Sequence, residues 1–256
     1  MIVDEHVRDY IKSLGEGFEG ELLRERNEAL EKNVPIIRDD AAEFLRFLLR
    51  VKKPRNILEV GTATGFSASV MAECAKDAEI ITIEKVKMRL ADAKKNLKDR
   101  ENVTLLVGDA EHVLNYLAGD DDKPFDEMYT CGQSYDHSQY SDTFGKKMPH
   151  SSDILIGTSK FDLVFLDAAK GQYMSFLEPI TKLLKSGGVL VADTVRSDGL
   201  VAKSRYAVPR RDRTIHERMR EFLFYLTHCE EYDTTILPIA DGMSVSVKRQ
   251  TEHEKT

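Results

Sequence analysis

The feature that most constrains the fold is a regular alternation of short apolar segments and helical segments across residues 56–193. The apolar segments predict five strands, Asn56–Val60, Glu79–Glu84, Val103–Gly108, Phe161–Asp167 and Val189–Asp193. Helices fit between them, as at Met88–Leu97 and Tyr173–Leu184. Successive parallel strands need crossover connections of this kind. The alternation therefore indicates an α/β fold whose mostly parallel sheet is covered by helices on both faces.

The two ends of the chain follow different patterns. Residues 1–50 carry apolar side chains at helical intervals and predict N-terminal helices, one of them capped by Asp39 or Asp40. The strands Tyr232–Pro238 and Met243–Lys248 are separated only by Ile-Ala-Asp-Gly. Because so short a link allows only an antiparallel hairpin, the last strand should run against the rest of the sheet.

Length and composition favour one cytoplasmic domain over residues 1–256. The chain is 41% hydrophobic and 32% charged, as expected of a globular core. It has no apolar run of about 18 residues that predicts a membrane span, and its charged N-terminus lacks a signal-peptide core. Three scattered cysteines suit a reducing compartment. The net charge of −7 argues against a general nucleic-acid coat but leaves room for a local basic patch.

Residues 118–160 interrupt the alternation with a long polar insertion. Connections of this length are usually lids or disordered segments. The tyrosines at 129, 135 and 140 and His137 favour a lid, while a plain surface excursion or disorder stays an equal alternative.

Residues 57–72, ILEVGTATGFSASVMA, read as a strand, a tight turn and the start of a helix. The dinucleotide fingerprint needs glycines where this turn has Ala63 and Phe66, and Glu59 would repel a pyrophosphate. With S-adenosylmethionine the interaction with Glu59 becomes attractive, because this cofactor carries an ammonium and a sulfonium and no phosphate. Glu59 can attract it, while Gly61 and Gly65 let the backbone approach closely.

Two further acids end the next two strands. Glu84 is suited to accept hydrogen bonds from a ribose diol. Asp109 can accept from an adenine amino group, with the backbone N–H of Ala110 beside it. Each acid alone is explained equally well as a helix cap, but three acids on successive strand ends favour a cofactor site.

Asp167 and Asp193 end the fourth and fifth strands, and Lys170 follows three residues after Asp167. Two carboxylates that face one cleft repel each other unless a cation joins them. Mg²⁺ prefers such oxygen ligands and takes one or two carboxylates in addition to water. A pair of helix caps, with Lys170 as a solvated surface residue, is the alternative.

The motifs EVGTATGFS, IEKV, FLDAAKGQY and LPIADGMSVSVKR together resemble the cation-dependent O-methyltransferases related to catechol O-methyltransferase (methyltransferase family 3). The resemblance implies a class I S-adenosylmethionine-dependent methyltransferase, Rossmann-like, with a seven-stranded sheet, a divalent metal and a homodimer. The cofactor residues that it implies are Ile37, Glu59, Gly61, Ser67, Glu84, Asp109, Ala110 and Asp167. It also implies that Asp167 and Asp193 bind the metal and that Lys170 is the catalytic base.

One position departs from the family pattern. Thr194 stands where the family usually has asparagine after the second metal aspartate. A threonine hydroxyl is a shorter and weaker ligand than an amide oxygen. We still expect Mg²⁺ at Asp167, Asp193 and Thr194, with water filling the gap.

Residues 196–220 form a basic segment directly after Asp193, and its candidate substrate residues are Arg196, Arg205, Arg210 and Arg211. Phosphate contacts need such a patch. The segment VPRRDRTIHERMREF resembles the bacterial tRNA 5-hydroxyuridine methyltransferases, which implies a wobble uridine in the anticodon loop as acceptor. A small-molecule, catechol-type acceptor is the alternative, and a non-catalytic S-adenosylmethionine-binding protein is a second. A Rossmann oxidoreductase fits the glycines poorly.

Overall fold

A computed structural model describes residues 5–15, 17–120, 125–130, 132–136, 160–195 and 199–250. The helices within these residues are α1 Glu5–Leu14, α2 Gly20–Glu31, α3 Asp39–Lys52, α4 Phe66–Cys74, α5 Lys87–Leu97, α6 Ala110–Ala118, α7 Tyr173–Leu183 and α8 Arg213–His228. The strands are β1 Asn56–Val60, β2 Glu79–Glu84, β3 Val103–Val107, β4 Glu127–Thr130, β5 Gln133–Asp136, β6 Phe161–Leu166, β7 Leu184–Ala192, β8 Tyr232–Leu237 and β9 Met243–Lys248.

All these strands form one sheet in the order β5-β4-β3-β2-β1-β6-β7-β9-β8. Strands β3, β2, β1, β6 and β7 are parallel neighbours, and β9 pairs antiparallel with both β7 and β8. The predicted α/β fold with a reversed last strand is confirmed. The expected number of seven strands is wrong, because the sheet has nine strands within the described residues.

The two additional strands come from the insertion at 118–160. β4 pairs antiparallel with β3, and β5 pairs with β4, so this part of the insertion widens the sheet. Tyr129 is buried in β4, and its hydroxyl donates a 2.9 Å hydrogen bond to the carbonyl of Lys94. Tyr129 is therefore a structural residue and not part of a lid. Residues 137–159, with His137 and Tyr140, lie outside the described residues.

The central strands are buried because helices cover both faces of the sheet. On one face, Leu114 of α6, Phe176 of α7 and Phe222 of α8 belong to one buried apolar cluster. On the other face, Leu45 of α3 and Val70 of α4 belong to a second cluster. Burial on both sides explains why these strands read as continuous apolar runs without polar alternation.

Besides one-residue shifts at several strand and helix ends, the start of β7 and the cap of α3 differ from the sequence-based expectation. β7 begins at Leu184, directly after α7, and not at Val189. α3 begins at Asp39, and its N-cap is Arg38, whose side chain makes no capping hydrogen bond. Asp39 instead accepts two hydrogen bonds from the Arg26 guanidinium, at 2.6 and 2.8 Å. Within the described residues, every helix is too short or too polar to cross a bilayer.

Candidate active site

The parallel strand order aligns the carboxyl ends of β3, β2, β1, β6 and β7 along one edge of the sheet. Ligands of open α/β sheets bind at this edge. Each of the acids that the sequence singled out lies at or beside one of these ends: Asp109, Glu84, Glu59, Asp167 and Asp193, in that order. We call this row the acidic rim.

The turn after β1 approaches β6 so closely that only glycine fits at position 61. Gly61 has φ of 108°, and a Cβ there would collide with the Asp167 carbonyl, whose carbon would be 2.8 Å away. Ala63 also has a left-handed φ of 48°, and Gly65 has φ of 88° where α4 begins. Such conformations concentrate at functional sites. The turn thus places bare backbone at the centre of the rim.

Glu59 is fully buried below this turn. Its Oε2 accepts a 2.5 Å hydrogen bond from the Thr82 hydroxyl, whereas its Oε1 has no hydrogen-bond partner among the described residues. Burial raises the pKa of Glu59 to about 7. The hydroxyls of Ser67 and Thr82 lower this pKa, but the negative charges of Asp167 and Glu84 add to the rise. A cationic ligand would stabilise the ionised carboxylate, so Glu59 fits the ammonium end of S-adenosylmethionine.

Glu84 is held in a fixed orientation by three backbone groups. Its Oε2 accepts from the N–H of Ala63 at 2.8 Å, and its Oε1 accepts from Lys85 and Val86 at 2.9 and 2.7 Å. A carboxylate has about four acceptor positions, so one position remains for a hydroxyl donor. Glu84 therefore links the β1 turn to the end of β2 and keeps some capacity for a ribose.

Asp109 has a structural role that the sequence offered as the alternative. Its Oδ1 caps α6 by accepting from the N–H of Glu111 at 3.0 Å, and Lys85 Nζ lies 3.1 Å from its Oδ2. Burial would raise the pKa of Asp109, but the hydrogen bonds from Lys85 and Glu111 outweigh it and keep this pKa below its ordinary value. Ala110 opens α6 beside it, half-buried. An adenine would have to share Asp109 with both donors.

Asp167 and Asp193 interact with each other at the ends of β6 and β7. Burial raises the pKa of both, and the charge of Asp167 contributes to the rise of the Asp193 pKa to about 7. The Lys170 ammonium lowers the pKa of both carboxyls. The structure thus brings the three predicted residues together, with Lys170 as the neighbouring positive charge.

Two further charged residues affect the pKa values of Asp167 and Asp193, and the sequence analysis did not assign them to the site. Asp40 raises the pKa of Asp193, and Arg89 lowers that of Asp167. Asp40 Oδ2 also accepts from the N–H of Ala240 at 3.0 Å, across 200 residues of sequence. Only this long-range contact reveals that Asp40, at the start of α3, borders the rim.

Thr194 has φ of 56°, which is rare for a β-branched residue, and its N–H donates to Asp193 Oδ1 at 2.7 Å. Among the described residues, no three His, Cys, Asp or Glu side chains converge as a metal-binding group. The carboxylates of buried Asp193 and half-buried Asp167, with a hydroxyl, still fit a Mg²⁺ ion that keeps most of its water. Asp167, Asp193 and Thr194 are the residues that would hold it.

Ile37 and Ser67 are both buried on the α2–α5 side of the sheet, Ile37 just before α3 and Ser67 in the first turn of α4. Ser67 is close enough to Glu59 to affect its pKa. Arg196 lies outside the described residues, so its predicted role is untested.

The basic segment packs on α8 through three short 3₁₀ turns, at Leu200–Ala202, Arg205–Ala207 and Arg210–Asp212. Buried His216 binds the carbonyl of Lys203 at 3.0 Å, and Arg220 donates to the carbonyl of Val201 at 2.7 Å. These two side chains of α8 therefore hold the segment in place.

Four basic side chains and one aromatic side chain remain on the exterior of these turns. This basic surface consists of Lys203, Arg205, Tyr206, Arg210 and Arg211, all exposed. Tyr206 is 91% exposed, which is unusual for a large aromatic residue. Arg205 is paired with Glu217 at 2.5 Å and Arg211 with Asp212 at 3.5 Å, and the side chain of Arg211 is 87% exposed.

Comparison with known proteins supports the reading of the motifs. The model of an O-methyltransferase family matches residues 16–151 and 151–249. A catechol O-methyltransferase from Niastella koreensis is 26% identical over 258 residues, which cover 96% of each chain. A caffeoyl-CoA O-methyltransferase from Populus kitakamiensis is 25% identical over 242 residues, 89% of this chain and 86% of that one. The O-methyltransferase TomG from Streptomyces achromogenes, solved with S-adenosylmethionine, superposes with a TM-score of 0.70, 23% identity and 96% coverage of both chains.

The left-handed backbone at Thr194 yields a stability prediction. Asparagine tolerates this conformation better than a β-branched residue, so Thr194→Asn should raise the unfolding free energy of the metal-free protein by about 1 kcal/mol. Urea unfolding monitored by circular dichroism measures the change. Thr235→Asn, at an exposed position of β8, is the control and should be neutral or destabilising. A Thr194→Asn protein less stable than wild type would contradict the strain argument.

Proposed function

The chain belongs to the O-methyltransferase family, and we propose that it transfers the methyl group of S-adenosylmethionine to an acceptor hydroxyl beside Asp167 and Asp193. The observation that carries the proposal is the acidic rim, whose buried carboxylates need positive partners. The structural neighbour TomG, which holds S-adenosylmethionine on the same fold, supports the choice of donor. The family match covers nearly all of the described residues, so it supports the same chemistry for this chain.

The residues divide the work between the two halves of the rim. Glu59 and the bare turn at Gly61 receive the methionine end of the donor, and Glu84 orients its ribose. The donor supplies an electrophilic methyl group on sulfur. Because both substrates are bound at neighbouring strand ends, alignment of the acceptor oxygen with that methyl group supplies much of the rate enhancement.

On the acceptor side, Asp167, Asp193 and Thr194 would hold a divalent cation, and Lys170 would receive the proton of the acceptor hydroxyl. A bound Mg²⁺ would lower the pKa of that hydroxyl and favour acceptors with two adjacent oxygens. Lys170 can accept a proton only in its neutral form. A cation held by Asp167 and Asp193 would neutralise these carboxylates in place of Lys170, so that Lys170 could act as the base.

For the acceptor we propose 5-hydroxyuridine at the wobble position of a tRNA. Its 5-hydroxyl and 4-carbonyl oxygens are adjacent, as in a catechol. The basic surface supports an acceptor that carries phosphates, because its four basic side chains stand exposed in a protein of net charge −7. Tyr206 offers an aromatic face on which an unpaired base can stack.

A small dihydroxyaromatic acceptor is the second candidate, favoured by the relatives named catechol and caffeoyl-CoA O-methyltransferases. A coenzyme A thioester also carries phosphates, so the basic surface fits it as well as RNA. A free catechol would use the rim but not the basic surface. Methylation of tRNA or of a coenzyme A thioester should therefore depend on the four basic residues, whereas methylation of a free catechol should not.

An acceptor assay distinguishes them. Enzyme, donor and Mg²⁺ are incubated with tRNA that contains 5-hydroxyuridine, with caffeoyl-CoA or with free caffeate, and the products are identified by mass spectrometry. We expect methylated 5-hydroxyuridine, and an Arg210→Gln/Arg211→Gln variant should lose about tenfold in kcat/KM with tRNA. The matched control is Lys76→Gln/Lys98→Gln, two exposed lysines at the opposite edge of the sheet.

Each other outcome of this assay has a definite meaning. Methylation of caffeate or caffeoyl-CoA alone would replace the tRNA proposal by the second candidate. Binding of S-adenosylhomocysteine without methylation of any acceptor would favour the non-catalytic alternative. If the Arg210→Gln/Arg211→Gln variant methylates tRNA with the wild-type kcat/KM, the basic surface does not take part in tRNA recognition.

The raised pKa of Glu59 predicts a pH dependence of cofactor binding. Because a cationic ligand favours the ionised form, affinity should be complete above the free-state pKa of about 7 and fall as pH decreases through it. With EDTA present, the Kd of S-adenosylhomocysteine should rise about tenfold from pH 8 to pH 6. Calorimetry at several pH values measures it. Glu59→Gln should bind weakly with a flat profile, and a flat wild-type profile would contradict this role.

The homodimer implied by the resemblance remains a proposal. Helix α1 supports it, because Val7, Tyr10, Ile11 and Leu14 form an apolar stripe whose members are 49–67% exposed. A second copy that covers this stripe would bury them. Sedimentation velocity should show a dimer that Ile11→Glu/Leu14→Glu converts to a monomer, whereas a monomeric wild type at micromolar concentration would refute the proposal.

A further inference from the structure

Helix α8 contacts the turn that carries Lys170 through the side chain of Arg218. Arg218 Nη1 donates a 2.7 Å hydrogen bond to the carbonyl oxygen of Gly171, the residue after Lys170. A Cβ at Gly171 would lie 3.3 Å from the same nitrogen, tighter than most real Cβ contacts. The guanidinium therefore lies directly on the backbone of the 3₁₀ turn Lys170–Gln172.

A second contact lies one helical turn further along α8. The ring of Phe222 packs edge-on against Tyr173, with ring centroids 5.2 Å apart. The Tyr173 hydroxyl lies within hydrogen-bonding distance of the carbonyls of Leu166 and Asp193, at 3.3 and 3.2 Å. Because positions 218 and 222 share one face of a helix, α8 contacts the segment 170–173 both at Gly171 and at Tyr173.

The turn itself is short and is held only locally by its own backbone. The N–H of Gln172 donates to the carbonyl of Ala169 at 2.8 Å, and the N–H of Tyr173 donates to the carbonyl of Lys170. None of its three residues is buried, in contrast to Tyr173 after it. A glycine at its centre adds conformational freedom. A hydrogen bond from another element to that glycine can therefore limit the movement of the turn and, with it, the position of the Lys170 Cα.

We propose that Arg218 is a positioning residue, which fixes the turn so that Lys170 Nζ stays beside Asp167 and Asp193. The proposal rests on the function assigned above, because it assumes that Lys170 is the base. In this role Arg218 acts through the backbone of Gly171 and needs no contact with either substrate. This role also separates Arg218 from Arg213 and Arg220, whose side chains donate to the carbonyls of Val208 and Val201 in the basic segment.

The test compares kcat with KM in Arg218→Gln and Arg218→Lys. With the acceptor that wild type methylates, Arg218→Gln should lower kcat about tenfold, because a displaced catalytic group costs rate. The KM for the acceptor and the Kd of S-adenosylhomocysteine should stay within about twofold of wild type. Arg218→Lys should recover most of the rate, since an ammonium can donate to the same carbonyl. The matched control is Arg46→Gln, which removes a 3.1 Å bond from an arginine to the carbonyl of Gly17.

A double-mutant cycle separates positioning from general damage. Lys170→Met sets the lower limit of activity, and Arg218→Gln added to it should cause little further loss, because the two residues act through one group. Losses that multiply would overturn the proposal, as would an Arg218→Gln enzyme with wild-type kcat.

Amide hydrogen exchange gives a readout that does not depend on turnover. Exchange at residues 169–173 should be faster in Arg218→Gln than in wild type, while the melting temperature and the exchange of β1 stay unchanged. Unchanged exchange in the turn would overturn the proposal. If wild type methylates no acceptor, the proposed function fails, and the exchange result still decides whether Arg218 fixes the turn.

Discussion

Three carboxylates lie at one edge of a parallel sheet, those of Glu59 and Asp193 buried and that of Asp167 half-buried, and loss of solvent raises the pKa of each. An unpaired buried charge is costly, so these groups hold protons more readily than free acids do. The fold gives them no alternative position, because each belongs to or directly follows a central strand. A positive ligand would stabilise the ionised form of these carboxyls. The rim is therefore suited to release protons when a cationic methyl donor and a divalent ion bind.

Left-handed backbone lies at the same edge as these charges. Gly61, Ala63 and Thr194 all have left-handed φ angles, and all three lie at the ends of β1 or β7. Left-handed backbone in a non-glycine residue costs of the order of 1 kcal/mol or more and persists only where the surroundings impose it. At Thr194 this strained conformation directs the backbone N–H at the Asp193 carboxylate. The chain thus keeps the backbone geometry that an asparagine would adopt more easily.

The sequence predicted the parts of this site that depend on local pattern. Apolar runs located β1, β2, β3, β6 and β7, and parallel strands bring their final acids together. Contacts between distant residues had no local signal. Asp40 meets Ala240, Arg89 lies near Asp167, and Arg218 meets Gly171 only in the folded chain. β4 and β5 were missed because polar residues surround two four-residue strands, which pair at the open edge of β3.

The order of the strands separates the donor half of the rim from the acceptor half. Strands β3, β2 and β1 end in acids assigned to S-adenosylmethionine, and β6 and β7 lead to the residues assigned to metal and base, with Asp167 after β6 assigned to both sets. The insertion extends the sheet beyond β3, the far end of the donor half, whereas α8 and the basic surface follow β7. Helix α8 and the basic surface therefore belong to the acceptor half. Arg218 then connects the basic surface to the proposed base, because the helix that supports this surface also contacts the turn of Lys170.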